Sequence, residues 1–175
     1  RIGDPDRFAP RPPGEDGLLL IRGANVMLGY LGDEAATREV LRDGWYVTGD
    51  LARMDSDGFV TIRDRLSRFS KIGGEMIPHT RLEEIMHAQL DLTEQSLIVA
   101  GIPDDTRGER IVVLHVLEDE QIETLKKRLS DSDMPNLWRP RPNAYYRIEE
   151  IPVLGTGKMD IKKARQLALE LSGGV

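Results

Sequence analysis

The stretch Asp64-Arg-Leu-Ser-Arg-Phe-Ser-Lys-Ile-Gly-Gly-Glu75 decides how this chain is organised. Residues 63–68 are dense in charge and show no hydrophobic period, which predicts a linker or hinge between two units. The cations at positions 65, 68 and 71 would face an anionic ligand if they lie along one edge. The glycine pair Gly73-Gly74 would let a backbone approach that ligand closely. The alternative is a solvated, charged hinge followed by a glycine turn, because charge runs usually are that.

Outside this stretch, short strands and helices mix without the strict alternation of parallel βαβ units, which predicts an α+β fold. Before it, the pattern predicts a proline-rich loop at 1–16, a strand at 17–22, a short helix at 33–42 and a hairpin turn at 55–58. After it, the pattern predicts helices at 78–90, 120–129 and 160–171 and strands at 96–101, 111–117 and 145–149.

The segment Tyr46-Val-Thr-Gly-Asp50 contains a first candidate binding group. A glycine between Thr48 and Asp50 predicts a tight turn between two extended runs, 45–47 and 51–54, which would project a carboxylate from a strand end. Such a carboxylate can accept two hydrogen bonds from vicinal hydroxyls, as acidic residues do on a ribose. The alternative is an ordinary β-turn with a solvated Asp50.

The segment Gly155-Thr-Gly-Lys158 invites comparison with a phosphate-binding loop. It fails that test, because Pro152 stands where the loop needs a glycine and Met159 where it needs Ser or Thr. What remains is a flexible glycine turn that delivers one lysine just before a helix. A lysine is a mobile point charge that can reach phosphate or carboxylate oxygens. The alternative is a turn with a merely exposed lysine.

Composition excludes several classes of function. The 175 residues carry 24 basic and 30 acidic side chains, and the net charge of -6 argues against general nucleic-acid binding. Without cysteine, disulfides, cysteine-ligated metals and thiol nucleophiles are excluded. The three histidines have no spacing that predicts a metal site. No apolar run approaches the roughly 20 residues of a membrane span. No secretory signal opens the chain, and its first residue, Arg1, leads us to expect a piece of a longer protein.

In order and spacing, four motifs resemble those of the adenylate-forming superfamily, which contains acyl-CoA synthetases, firefly-type luciferases and peptide-synthetase adenylation domains. The motifs are Gly23-Ala-Asn-Val-Met-Leu-Gly-Tyr-Leu31, Gly44-Trp-Tyr-Val-Thr-Gly-Asp50, Asp64-Arg65 with Lys71-Ile-Gly-Gly74, and Gly155-Thr-Gly-Lys158. Residues 69–78, 135–140 and 148–158 narrow the resemblance to acyl-acyl carrier protein synthetases, including the synthetase part of bifunctional 2-acylglycerophosphoethanolamine acyltransferases.

The resemblance implies an ATP-dependent ligase in which a carboxylic acid and MgATP form an acyl adenylate and a thiol then displaces AMP. It implies that residues 1–64 are the β-rich last segment of a large N-terminal adenylation domain. Residues 65–175 would be the small, mobile C-terminal domain, with a short β-hairpin and a three-stranded sheet flanked by helices. The phosphate loop and the acyl pocket belong to the large domain and are absent here, so the isolated chain is expected to be inactive.

Carried over residue by residue, the resemblance makes Lys158 the catalytic lysine that reaches the carboxylate and the α-phosphate. Nucleotide-binding residues would be Asp50, as ribose ligand, with Thr48 and Arg65. Ser67 stands at the hinge position, where the family usually has Asp or Lys, and Asp64 replaces the more frequent glycine. The thioester-forming face would comprise Lys71, Gly73 and Gly74, with Gly74 leaving room for a phosphopantetheine arm.

The implied partners are the N-terminal domain in cis, a fatty acid, and acyl carrier protein or CoA as the acceptor that brings the phosphopantetheine. ATP and magnesium would be bound mainly by the absent domain, in a cytoplasmic enzyme of phospholipid reacylation or one held at the inner membrane face by other segments. A non-catalytic module that docks acyl carrier protein through Arg107, Arg110 and the 126–128 cations is one alternative. A ligase for an aryl or amino acid is another. The acid, the acceptor thiol and the oligomeric state are left open.

Overall fold

The computed structural model describes residues 1–173, and the chain divides after Ser67 into two compact units. The sequence placed this boundary after residue 64, within the charged stretch. Strand structure in fact continues through Arg65, and a single 3-10 turn, Leu66–Arg68, spans the division. The irregular segment is therefore shorter than the predicted linker at 63–68, because its first residues pair in a sheet.

The first unit is an antiparallel sheet with one short helix. Its elements are β1 (Ile2–Gly3), β2 (Asp16–Ile21), α1 (Glu34–Val40), β3 (Leu41–Arg42), β4 (Trp45–Met54) and β5 (Val60–Arg65). The long strand β4 is central, since it pairs with β2, β3 and β5, and the predicted turn at 55–58 joins it to β5. The prediction of a loop at 1–16 is wrong at Ile2–Gly3, which pairs with β2 and buries Ile2.

Strand β4 runs without reversal through the position where the sequence predicted a tight turn, so that prediction is wrong. Between Leu18 and Leu20 of β2, the partner on β4 moves from Leu51 to Val47. The extra β4 residues form a bulge, and Gly49 at its centre has a φ of 77°. The glycine thus supplies a left-handed residue for a bulge, because pairing with β2 on both sides holds the strand direction.

The second unit is a mixed sheet covered by helices. Its elements are β6 (Phe69–Ile72), β7 (Glu75–Pro78), α2 (His79–Gln89), β8 (Leu97–Asp104), β9 (Gly108–His115), α3 (Asp119–Ser130), β10 (Tyr145–Arg147) and α4 (Ile161–Leu171). Strands β6 and β7 form a hairpin, while β9 lies antiparallel to β8 and parallel to β10. The predicted α+β fold with flanking helices is confirmed. The hairpin pairs with β9, so the predicted hairpin and three strands form one five-stranded sheet.

Both faces of the second sheet are buried at its centre, because β8 is apolar from Leu97 to Ile102 and β9 from Ile111 to Leu114. Alternate residues point to opposite faces. Leu97 and Val99 face a core with α2 and α3, while Ile98 and Ala100 face a smaller core with α4. Burying one such large side chain stabilises the fold by about 1.5–3 kcal/mol. None of the helices in residues 1–173 combines the length and the apolar composition that a bilayer span requires.

A charged pair lies inside the second unit, directly after the division of the chain. Arg68 and Glu83 are 5% and 4% exposed, and their side chains meet at 2.5 Å. The other carboxylate oxygen of Glu83 accepts the backbone N–H of Val99 at 2.6 Å. Because Arg68 is buried, the expectation that the cations at 65, 68 and 71 face one ligand is wrong.

Next to this pair, Ser70 and His79 form a second buried polar contact. The Ser70 hydroxyl lies 2.8 Å from His79 Nε2, and both residues are nearly inaccessible to solvent. Burial, together with the nearby charges of Arg68 and Arg165, lowers the pKa of His79 from 6.5 to about 3. The ring is therefore neutral in the folded state at physiological pH.

Replacing Glu83 by Ala should destabilise the second unit by about 3–5 kcal/mol, because it leaves the Arg68 guanidinium buried without a counter-charge. The matched control is Glu84→Ala on the same helix, since Glu84 makes an exposed pair with Arg81 and its loss should cost about 1 kcal/mol or less. Urea unfolding followed by Trp138 fluorescence, in a Trp45→Phe background, measures both. Equal losses in the two variants would contradict the buried pair.

The lowered pKa of His79 predicts a pH dependence of stability. Between about pH 3 and 6.5 the unfolded chain binds a proton at His79 that the folded chain does not, so stability falls as the pH falls through this window. The slope contributed by this one group is at most about 1.4 kcal/mol per pH unit. The difference in unfolding free energy between wild type and His79→Gln should shrink accordingly toward low pH. A difference in unfolding free energy that does not change with pH would contradict the lowered pKa of His79.

Candidate functional site

The bulge in β4 brings the three predicted nucleotide-binding residues together. Asp50 lies opposite Arg65 of β5, and Arg65 Nε is 2.8 Å from Asp50 Oδ1. Arg65 Nη1 also donates to the carbonyl of Thr48 at 3.3 Å. The Thr48 hydroxyl accepts the Asp50 backbone N–H at 3.0 Å and donates to the carbonyl of Leu19 at 2.9 Å. Thr48, Asp50 and Arg65 therefore orient one another through these contacts.

This cluster leaves acceptor capacity free for a ligand. The Asp50 side chain is 25% exposed, and within residues 1–173 its second carboxylate oxygen, Oδ2, has no hydrogen-bond partner. Arg65 is 64% exposed, so its guanidinium contributes a further solvent-facing cation. A fixed carboxylate with one open oxygen is suited to a hydroxyl donor such as a sugar diol. Nucleotide binding by the cluster stays a prediction.

The turn that carries Lys158, residues 153–159, lies in the second unit between β10 and α4. A bridge between Val153 and Met159 closes it, Leu154 donates to the carbonyl of Lys158 at 2.7 Å, and Gly157 adopts a φ of 79°. Asp160 then caps α4 by accepting the backbone N–H of Lys163. The turn is therefore held at its base, directly before a helix.

Lys158 is exposed, as are the other residues of the turn. Its side chain makes no hydrogen bond or ion pair with any residue in the described part of the chain. Val153 and Leu154 beside it are also largely exposed, at 58% and 46%. The structure thus presents one cation on a defined, accessible turn. Its catalytic role stays a prediction.

The predicted thioester-forming face corresponds to the tip of the β6–β7 hairpin. Gly73 and Gly74, with φ of 58° and 91°, form the two-residue loop between the paired residues Ile72 and Glu75. Both central residues of this mirror-image turn require positive φ, which glycine adopts without strain. A Cβ at Gly74 would meet nothing within 4 Å, so the tip borders open space. Lys71 is exposed on the adjoining strand.

The other predicted position, Ser67, is exposed and is the last residue of the first unit. Sequence reasoning missed Glu83 and Glu109, which organise the second unit, and it missed the buried pairing of Arg68 with Glu83. An acidic residue on the apolar face of a helix, between Leu82 and Met86, is a signal that could have indicated Glu83. Across residues 1–173, no cluster of His and acidic side chains could hold a metal ion.

Comparison with known proteins identifies relatives that are acyl- and aryl-CoA ligases. The feruloyl-CoA synthase of an Amycolatopsis species is 34% identical over 157 residues, which cover 86% of this chain and 30% of the relative. The long-chain-fatty-acid–CoA ligase of Bacillus subtilis is 33% identical over 154 residues, covering 84% and 26%. The 2-succinylbenzoate–CoA ligase of Bacillus cytotoxicus is 32% identical over 164 residues, covering 91% and 32%. No protein-family model matches the chain.

Solved structures share the fold. ATP-bound MatB from Rhodopseudomonas palustris superimposes with a TM-score of 0.69 at 21% identity, over 98% of this chain and 34% of MatB. The amide bond synthetase McbA from Marinactinospora thermotolerans gives a TM-score of 0.66 at 28% identity, over 95% and 34%. This chain therefore spans about a third of the length of the proteins that it matches.

The bulge geometry predicts the effect of a side chain at Gly49. A Cβ there would meet only the Arg65 guanidinium, at 3.8 Å, so the cost of Gly49→Ala is that of the left-handed backbone, about 1–2 kcal/mol. Gly49→Asn should cost less, because Asn tolerates this conformation better. Unfolding followed by Trp45 fluorescence, in a Trp138→Phe background, compares the two. An Ala variant as stable as Asn would contradict a positive φ at this position.

Proposed function

We propose that this chain is the C-terminal part of an adenylate-forming, ATP-dependent acyl-activating ligase that produces an acyl thioester. The observation that carries the proposal is the exposed turn of Lys158, whose side chain has no partner among residues 1–173, in a chain that is 32–34% identical to CoA ligases over most of its length. Because the chain spans about a third of those relatives, the activity belongs to a longer polypeptide that also supplies a phosphate-binding region.

In the first half-reaction, a carboxylate oxygen attacks the α-phosphorus of ATP, an acyl–phosphate bond forms, and pyrophosphate leaves. Two anions must meet in this step. Lys158 can approach both, because its turn is accessible and no side chain or carbonyl in the described part of the chain holds its ammonium group. A cation placed where charge develops stabilises the transition state more than the separated reactants. A cation carried by a domain that moves as a whole can also withdraw once the adenylate has formed.

The Asp50 cluster is proposed to hold the nucleotide by its sugar. The residues fit this role, since one carboxylate oxygen of Asp50 has no partner within residues 1–173 and Asp50 is oriented by Thr48 and Arg65. The described residues offer no metal site, so magnesium is proposed to be held by the triphosphate and by other parts of the longer polypeptide.

In the second half-reaction, the sulfur of the acceptor attacks the acyl carbon and AMP leaves. We propose that the Gly73-Gly74 tip, with Lys71 beside it, borders the path of the incoming phosphopantetheine arm. The supporting observation is the absence of side chains at the tip and the open space around Gly74. The 3-10 turn at Ser67 is the proposed hinge by which the second unit serves both steps.

The relatives' names point to CoA as the acceptor. The resemblance of residues 69–78, 135–140 and 148–158 to acyl-acyl carrier protein synthetases implies instead acyl carrier protein, a fatty acid and a role in phospholipid reacylation. The relatives themselves are named for feruloyl, long-chain fatty and 2-succinylbenzoyl groups, so similarity does not choose the acid.

A docking module for acyl carrier protein is less well supported. On α3, Lys126 is paired with Glu123 at 2.7 Å and lies over the Tyr145 ring, and Arg128 donates to the carbonyl of Gln89. Two of the three cations on this helix are thus engaged within the unit.

Replacing Lys158 by Ala in the full-length protein should lower acid-dependent ATP–pyrophosphate exchange by about 100-fold or more, the loss expected for a single electrostatic stabiliser. Lys162→Ala on α4 is the matched control, since Lys162 is also exposed but lies beyond the turn, and it should exchange at the wild-type rate. Exchange that survives Lys158→Ala would remove Lys158 from the mechanism. Absence of exchange in the wild type with aliphatic, aryl and amino acids would refute the function itself.

A further inference from the structure

The β6–β7 hairpin is joined to the rest of its sheet by very little backbone pairing. A single ladder pair, Ile72 with Gly108, connects it to β9. Gly108 has a φ of 84°, and a Cβ there would come within 3.4 Å of the Lys71 carbonyl. The hairpin that carries the Gly73-Gly74 tip is therefore attached to the sheet mainly by other contacts.

Glu109 supplies one of those contacts. Its Oε2 accepts the backbone N–H of Lys71 at 2.7 Å, which takes the place of a ladder hydrogen bond. The side chain is 28% exposed, and Oε1 lies 4.0 Å from Arg165, too far for a strong ion pair. The short contact of Glu109 is thus the one to the hairpin backbone.

A neighbouring backbone contact acts on the same part of the hairpin. Gly73 donates its N–H to the carbonyl of Arg107 at 3.0 Å. Residues 107–109 therefore hold both Lys71 and Gly73, one on the strand and one at the tip. The loop before Glu109 is itself ordered, since Asp104 accepts the backbone N–H groups of Thr106 and Arg107.

From this geometry we infer that Glu109 is a positioning residue for the thioester-forming step. Its carboxylate fixes the Lys71 backbone, and through it the side-chain-free tip that borders the acceptor path. The inference rests on the proposed function for its consequence, but the contact itself is independent of that function. Adenylate formation should not require Glu109, because the Lys158 turn is a separate structure beyond β10.

Three substitutions separate the reach of the side chain from its charge. Glu109→Gln keeps an oxygen acceptor at the same reach without the charge, whereas Glu109→Asp keeps the charge but is one methylene too short. Glu109→Leu removes both. Exposed Glu94, on the loop before β8, provides the control Glu94→Leu.

The first experiment measures amide hydrogen exchange of Lys71 in the present chain. Losing the acceptor should speed exchange by about fivefold or more in the Asp and Leu variants, the equivalent of one modest hydrogen bond. Exchange in Glu109→Gln and Glu94→Leu should match the wild type. An unchanged hydrogen-exchange rate of the Lys71 amide in Glu109→Leu would overturn its contact with Glu109, whether or not the enzyme is active.

The second experiment measures both half-reactions in the full-length protein. Transfer of the acyl group from preformed adenylate to CoA should fall by about fivefold or more in the Asp and Leu variants and be retained in Gln, with pyrophosphate exchange unchanged in all. Loss in Gln with retention in Asp would indicate a charge role and overturn the inference, as would equal loss of both half-reactions. A wild type that lacks both half-reactions would refute the proposed function. The amide hydrogen exchange of Lys71 would still test the contact between Glu109 and the Lys71 backbone.

Discussion

The buried ion pair between Arg68 and Glu83 is the interaction on which the second unit depends. It joins the first residue after the division of the chain to the middle of α2, and the remaining oxygen of Glu83 extends the link to Val99 in β8. A single buried charge is expensive, so each partner requires the other in place. The pair therefore fixes where β6 begins relative to the helix and the sheet, which packing of interchangeable apolar side chains alone would specify less strictly.

The residues proposed to bind a ligand or take part in the reaction all lie outside this buried interior. Asp50 lies on the bulged strand β4 of the first unit and Arg65 on the paired strand β5. Lys158 lies on an exposed turn before α4, and the glycine pair at a hairpin tip. In each case a short set of backbone hydrogen bonds holds the base of the feature and leaves its end accessible. Such an arrangement suits residues that must meet a ligand bound mostly elsewhere, since the scaffold orients them without enclosing them.

Much of this fold could be predicted from the sequence, for identifiable physical reasons. The helices at 120–129 and 160–171 have strong amphipathic periods, and the apolar runs of β8 and β9 are bounded by turn residues. The tight turn predicted at Gly49 was wrong, because a rule based on local sequence does not include the pairing of β2 with β4 on both sides of this residue. Arg68 was expected either to face an anionic ligand or to be solvated, since its partner Glu83 is distant in sequence. Glu109 gave no signal, because its role depends on one contact with a backbone.

The turn at Gly73-Gly74 carries a consequence for how this sequence can vary. Its mirror-image conformation admits glycine at little cost and other residues only with strain. Because neither glycine has a side chain, these two positions also form the thinnest stretch of main chain that a polypeptide can place in a narrow channel. Any larger residue would at once distort the loop and thicken this stretch. If the tip borders the acceptor path as proposed, folding and passage of the acceptor disfavour the same replacements at these two positions.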